Sequence, residues 1–99
     1  MSGAAHAPLR QALDISAQML DAAERGHWSH VAELDAERQA CIRHQHPADP
    51  YTIAALTTLH EHNRRLLERA ELARAGVERQ LGQHKYNHRA LSTYIASSG

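Results

Sequence analysis

A chain of 99 residues is one small domain, and its 11 Lys and Arg balance its 11 Asp and Glu, so the net charge is zero with its nine histidines neutral. That balance argues against a chain whose main work is gripping nucleic acid or an anionic membrane, since both call for a basic excess. Hydrophobic residues make up 42% and aromatics only 4%, with no Phe, so the core is built from Leu, Ala, Ile and Val, which favours helix over sheet; the single cysteine excludes an internal disulfide and a Cys-based zinc site.

The start of the chain, Met1 to Pro8, has one His, no Lys or Arg and no long apolar run, so it does not read as a signal peptide. No stretch approaches the ~18 uninterrupted apolar residues of a membrane span. The expected setting is the cytoplasm, with no membrane partner and no nucleic-acid partner.

The first predicted helix covers about 9–25, where Leu9, Ala12, Leu13, Met19, Leu20 and Ala23 recur at three- and four-residue steps. Gly26 interrupts it, either as the C′ residue of this helix or as the N-cap of the next. The second predicted helix covers about 27–44. Its inward stripe is Trp28, Val31, Leu34, Cys41 and Ile42, with Arg38 in the same seam. Pro47-Ala48-Asp49-Pro50 is the clearest break, with Asp49 placed to cap the next helix and Pro50 suited to its first turn.

The third predicted helix covers about 50–83, which gives ~50 Å at the α-helical rise. Its seam runs Leu56, Leu59, Asn63, Leu66, Ala70, Ala73, Val77 and Gln80, in alternating steps of three and four. Ile53, Leu67 and Leu81 widen that stripe, and Glu61 with Arg65 and Arg74 with Glu78 are spaced to pair one turn apart. Gly76 inside the helix marks a close approach or a bend, and Gly82 is the predicted stop. Ala90, Leu91, Tyr94 and Ile95 suit a further short helix at about 88–95. The expected fold is all-α: an up-down bundle of three long helices, antiparallel and coiled-coil-like, forming one domain over 1–99.

Chemistry-bearing patterns are sparse. His84 and His88 have the i, i+4 spacing of helical metal ligands, yet no carboxylate lies within four residues of both, and Gly82 interrupts the helix there. His60-Glu61-His62 begins like a zinc-protease motif but continues with Asn63 and Arg64. Glu24 to His27, the one Glu-x-x-His, straddles Gly26. No metal, cofactor or catalytic residue is expected. Cys41 reads as a small apolar core residue, and Gly-x-Ser-x-Gly is absent. Arg64-Arg65 is offset by Glu61 and Glu68, so no nucleic-acid face is formed. Arg38 and Asn63 stand where apolar residues are expected, a pattern that fixes register in helical seams; Asn63 equally suits the seam's edge.

Two segments carry a family resemblance. One is Ala22-Ala23-Glu24-Arg25-Gly26-His27-Trp28 with Val31 and Leu34. The other is His62-Asn63-Arg64-Arg65-Leu66-Leu67, then Leu81-Gly82-Gln83, Lys85 and Ala90 to Tyr94. Together they resemble the FliT type of flagellar export chaperone over about residues 9–95, with its Ala-x-x-Gly-x-Trp turn, long leucine-bearing helix, Gly-Gln step and late Tyr. The resemblance implies a cytoplasmic all-helical protein that binds the filament-cap subunit (hook-associated protein 2), prevents its early assembly and hands it to the export apparatus. Some members also restrain the flagellar master transcription regulator. This chain ends soon after Tyr94, where longer members carry a further segment, which puts that second role in question.

The residues themselves suit a helix-groove binder: wide apolar stripes, a lean core and no catalytic cluster. The expected partner-binding residues are Val77, Leu81, Leu91 and Tyr94, where the bundle thins. The expected packing anchors are Trp28, Leu34, Leu59 and Leu66. A homodimer stays open. The rival readings are a small all-helical enzyme of the chorismate mutase type, or a generic helical adaptor. Leu9-Arg10 through Leu13, Asp14, Leu20 and Arg25 resembles the first helix of those enzymes, but their chemistry needs a Lys deep in the pocket and the only Lys here is Lys85. The secreted Trp-x-Gly hairpin class fits less well, because Trp28-Ser29-His30 is neither its motif nor near mid-chain.

Overall fold

The computed structural model describes the backbone of residues 2–98 and, among side chains, those of residues 4–83, Lys85 and Tyr86. Four helices follow in order: α1 (Ser2–Ala5), α2 (Ala7–Glu24), α3 (Trp28–Ile42) and α4 (Pro50–Ser98). No strand occurs among the described residues. The architecture is the all-α bundle that the helical periodicity calls for.

α2 has Pro8 in its first turn, where a missing N–H costs nothing. Its buried stripe is Leu9, Ala12, Ile15, Ser16, Met19, Ala22 and Ala23. The helix ends in a Schellman motif. The Gly26 N–H donates to the Ala23 carbonyl at 3.1 Å and the His27 N–H to the Ala22 carbonyl at 2.9 Å. Gly26 has φ +75°, a left-handed conformation that a Cβ would oppose. Gly26 is therefore the C′ residue of α2, and the cap of α3 falls to His27.

α3 buries much less: Leu34, Arg38 and Cys41. It stops at Ile42, two residues short of the predicted end. The seven-residue connection 43–49 then turns the chain into α4. Asp49 caps α4 through its side chain, with Oδ1 accepting the Thr52 N–H at 2.9 Å.

α4 corrects the sequence reading. It runs unbroken for 49 residues, about 74 Å at the helical rise, with neither a stop at Gly82 nor a separate helix at 88–95. Glycine costs a helix interior only about 1 kcal/mol relative to alanine, and no proline follows to enforce a stop. Gly82 does not take a positive φ, and nothing lies within 4 Å of where its Cβ would be. The same open space surrounds Gly76, so that glycine serves no close helix approach.

Contacts along the helices fix the topology. His6 meets Asp49 at the base, and Arg38 bridges Ser16 and Asn63 midway. Farther along, Leu20 and Arg65 line one hollow, and Ala23 and Ala73 another. α2 and α4 thus run parallel, and α3 descends antiparallel to both. α2 packs closely against α3 and α4, whereas the backbones of α3 and α4 stay apart. The shared core comprises Leu9, Ala12, Ile15, Met19, Ala23, Leu34, Cys41, Ala55, Leu59 and Leu66, with Leu13, Leu20, Trp28, Val31 and Ile42 packed at its edge. α2 and α3 are 18 and 15 residues long, so they cover only the first part of α4. The molecule is a rod of 80 × 19 × 18 Å with a radius of gyration of 21.4 Å, longer than the ~50 Å expected from a helix ending at Gly82.

Candidate partner-binding surface

The last close coverage of α4 comes from Trp28. With Ala70, Ala73, Arg74 and Val77 it lines a shallow, predominantly apolar hollow of about 280 Å³. Ala23, Glu24, Gly26, Arg69 and Leu72 line a second hollow on the other side of the indole. Trp28 is half-buried there, held at the start of α3 by the tight Gly26 turn. The small side chains of Ala70 and Ala73 are what leave the depressions open.

Beyond this point α4 continues without α2 or α3 beside it. From Val77 to Ser98 the helix backbone runs on for about 32 Å. Val77 is 55% exposed and Leu81 54%; they continue the flank on which Ile53, Leu56 and Leu67 are also exposed, beside the buried line of Leu59 and Leu66. The apolar flank thus continues beyond the bundle at Val77 and Leu81, and an exposed apolar row of this kind is a candidate partner surface. The side chains of Leu91 and Tyr94 lie outside the described residues. Of the anchors read from sequence, Leu34, Leu59 and Leu66 are buried in the core and Trp28 stands at its edge.

Sequence reading passed over three features. Tyr86 is 69% exposed on the same overhang; it sits in a polar run, so no periodic signal marked it. Leu72 is also exposed, on a helix face apart from the seam. At the base, buried His6 donates from Nε2 to Asp49 Oδ2 at 2.7 Å, and its ring lies 4.2 Å from that of Tyr51. A lone histidine ahead of the first apolar residue carried no hint of that link.

Two ion-pair triads stiffen the exposed face of α4. Arg64 pairs with Glu61 and Glu68, and Arg74 with Glu71 and Glu78, each at i−3 and i+4. The facing guanidinium groups hold the Glu61 and Glu71 carboxyls below the ordinary carboxylate range, through hydrogen bonding first. These pairs are solvent-exposed, so they support the helix rather than form a charged site.

No cluster of three or more His, Cys, Asp or Glu side chains able to hold a metal ion occurs among the described residues. None of the described helices is long and apolar enough to cross a membrane. Cys41 is buried as a free thiol. Lys85, the cation that a chorismate mutase pocket would need, stands exposed on the overhang. The exposed apolar flank of α4 is the candidate partner-binding surface of this bundle.

The family model for the flagellar protein FliT matches residues 6–96. The chain belongs to the FliT family, which is a family of flagellar chaperones and not of enzymes. The enzyme alternative is thereby set aside. No curated protein and no solved structure gives a significant match.

Proposed function

We propose that this chaperone works in the cytoplasm on the filament-cap subunit of the flagellum, keeping it from assembling early and handing it to the export apparatus. The docking surface in this reading is the end of α4, with Val77, Leu81, Leu91 and Tyr94 as anchors. The observation that carries it is the row of exposed apolar side chains on α4, in which Val77 and Leu81 continue exposed Leu56 and Leu67 past the end of α2 and α3. An amphipathic helix of the client would lay its apolar face along that stripe, and the Trp28 hollow would take one large side chain. Covering these residues on the client would in turn hide the client's own assembly surface.

Calorimetry with purified cap protein tests this. Leu81→Asp and Tyr94→Ala are each expected to weaken binding by about tenfold or more, as anchor losses do. Arg79→Ala, on the opposite face of α4, is expected to leave the affinity unchanged. Circular dichroism first establishes that each variant folds. Equal binding by wild type and both anchor variants would move the site to α2 and α3. Absence of wild-type binding at high micromolar concentration would overturn the cap-protein assignment.

A further inference from the structure

α3 is held differently from the other two long helices. α2 inserts seven buried residues and keeps a direct packing of its own with α4, closed at the base by the His6–Asp49 pair. α3 packs along α2 but fully buries only Leu34, Arg38 and Cys41, one of them a cation, with Trp28, Val31 and Ile42 at the core's edge, and its backbone does not approach α4. Where α3 reaches across to α4 at mid-bundle, the link is polar. Arg38 is 5% exposed. Its Nη1 donates to Ser16 Oγ at 3.1 Å, and its Nη2 to Asp35 Oδ1 at 2.9 Å and Asn63 Oδ1 at 3.3 Å. Its Nε finds no acceptor among the described residues. A buried guanidinium with one half-exposed carboxylate partner and an unused donor is a weak contributor to stability, because desolvation offsets much of the attraction. What such a group does supply is register.

We infer that α3 is a detachable helix whose seat is set by the polar link of Arg38, and that it opens as a unit while α2 and α4 stay packed. Opening bares the apolar faces of α2 and α4 beneath it. The tight Gly26 turn serves as one pivot, and the connection 43–49 supplies the slack at the other end. Arg38 is a positioning residue here: it sets where α3 sits and how readily it leaves. The inference does not depend on which protein is the partner.

Hydrogen exchange of the full chain, read by mass spectrometry, tests it. Amides in 28–42 are expected to exchange at least tenfold faster than those in 9–23 and 52–70. Low urea should raise the α3 rates less steeply than the others, as opening of α3 exposes only part of the surface that global unfolding does. Arg38→Met, which swaps the cation for an apolar side chain of similar length, is expected to slow α3 exchange selectively by about tenfold, with Ser16 satisfied by its own helix. Asn63→Ala removes only the α4 acceptor, at an exposed position, and is expected to speed α3 exchange about three- to tenfold with α2 unchanged. Equal wild-type exchange in α2 and α3 would overturn the inference. So would Arg38→Met speeding α3 exchange, or Asn63→Ala moving all helices together. Should Arg38→Met fail to fold, the wild-type and Asn63→Ala comparison decides alone.

Discussion

Asp49 shows how much one side chain can join. It caps α4 through Oδ1 and accepts from His6 through Oδ2, so the starts of α2 and α4 are pinned together. The Thr52 backbone N–H first, then His6, hold its carboxyl below the ordinary carboxylate range. A lowered folded-state value means the stabilisation is complete above the unfolded carboxylate pKa of about 4 and is lost as pH falls through the folded value. Asp49→Asn should therefore lower the melting temperature near neutral pH, and the gap to wild type should close below about pH 4; melts across that range check this. Leu66 makes the complementary apolar case. It sits on α4, buried in the shared core, and Leu66→Ala should cost about 2–5 kcal/mol, read as a drop in the urea midpoint. An unchanged midpoint would mean that this side chain is not part of the core. At the α2–α3 turn, Gly26→Ala should destabilise by about 1 kcal/mol, because the φ of +75° is costly for any residue with a Cβ.

At the scale of elements, the three long helices differ in what holds them. α2 is held by apolar packing on two sides. α3 is held by its packing along α2 over a short apolar stripe, with the polar link of Arg38 setting its register. α4 begins as a core helix and its backbone runs on past α2 and α3, with the i−3, i+4 pairs of Arg64 and Arg74 supporting its exposed face. An unpacked helix responds strongly to intrinsic propensity, since no tertiary contact overrides it. Gly82→Ala has open space around the added methyl and should raise the helical signal, adding up to about 1 kcal/mol of helix stability. Circular dichroism against temperature measures it. A loss of helix on that substitution would show that Gly82 ends the helix after all.

For the molecule as a whole, the length of α4 sets the shape. A globule of this size would have a radius of gyration of about 13 Å, against 21.4 Å here. Small-angle scattering on a verified monomer should return about 21 Å. A value near 13 Å would mean that the end of α4 folds back onto the bundle. The rod also explains why a small chain leaves so much apolar surface bare. Two helices of 18 and 15 residues cannot cover one of 49. In a chaperone the uncovered length is where a client helix would complete the bundle.

The helical periods, the Gly26 and Pro47–Pro50 breaks and the Asp49 cap were legible in the sequence, because each is a local rule about backbone dihedrals and one turn's hydrogen bonds. So was the family, whose marks are local motifs in a fixed order. The seam position of Arg38 and Asn63 was visible too, and the structure joins them directly, with Asn63 at the exposed edge. Three things needed the tertiary structure. Gly82 looked like a stop, but a glycine ends a helix only when the backbone takes a left-handed turn there, and nothing in the fold forces one. The His6–Asp49 link joins residues 43 positions apart, beyond the reach of any periodic pattern. And the exposure of Val77 and Leu81, like that of Leu56 and Leu67 beside buried Leu59 and Leu66, was decided by the tertiary structure, because burial depends on what stands opposite a side chain and not on the side chain itself.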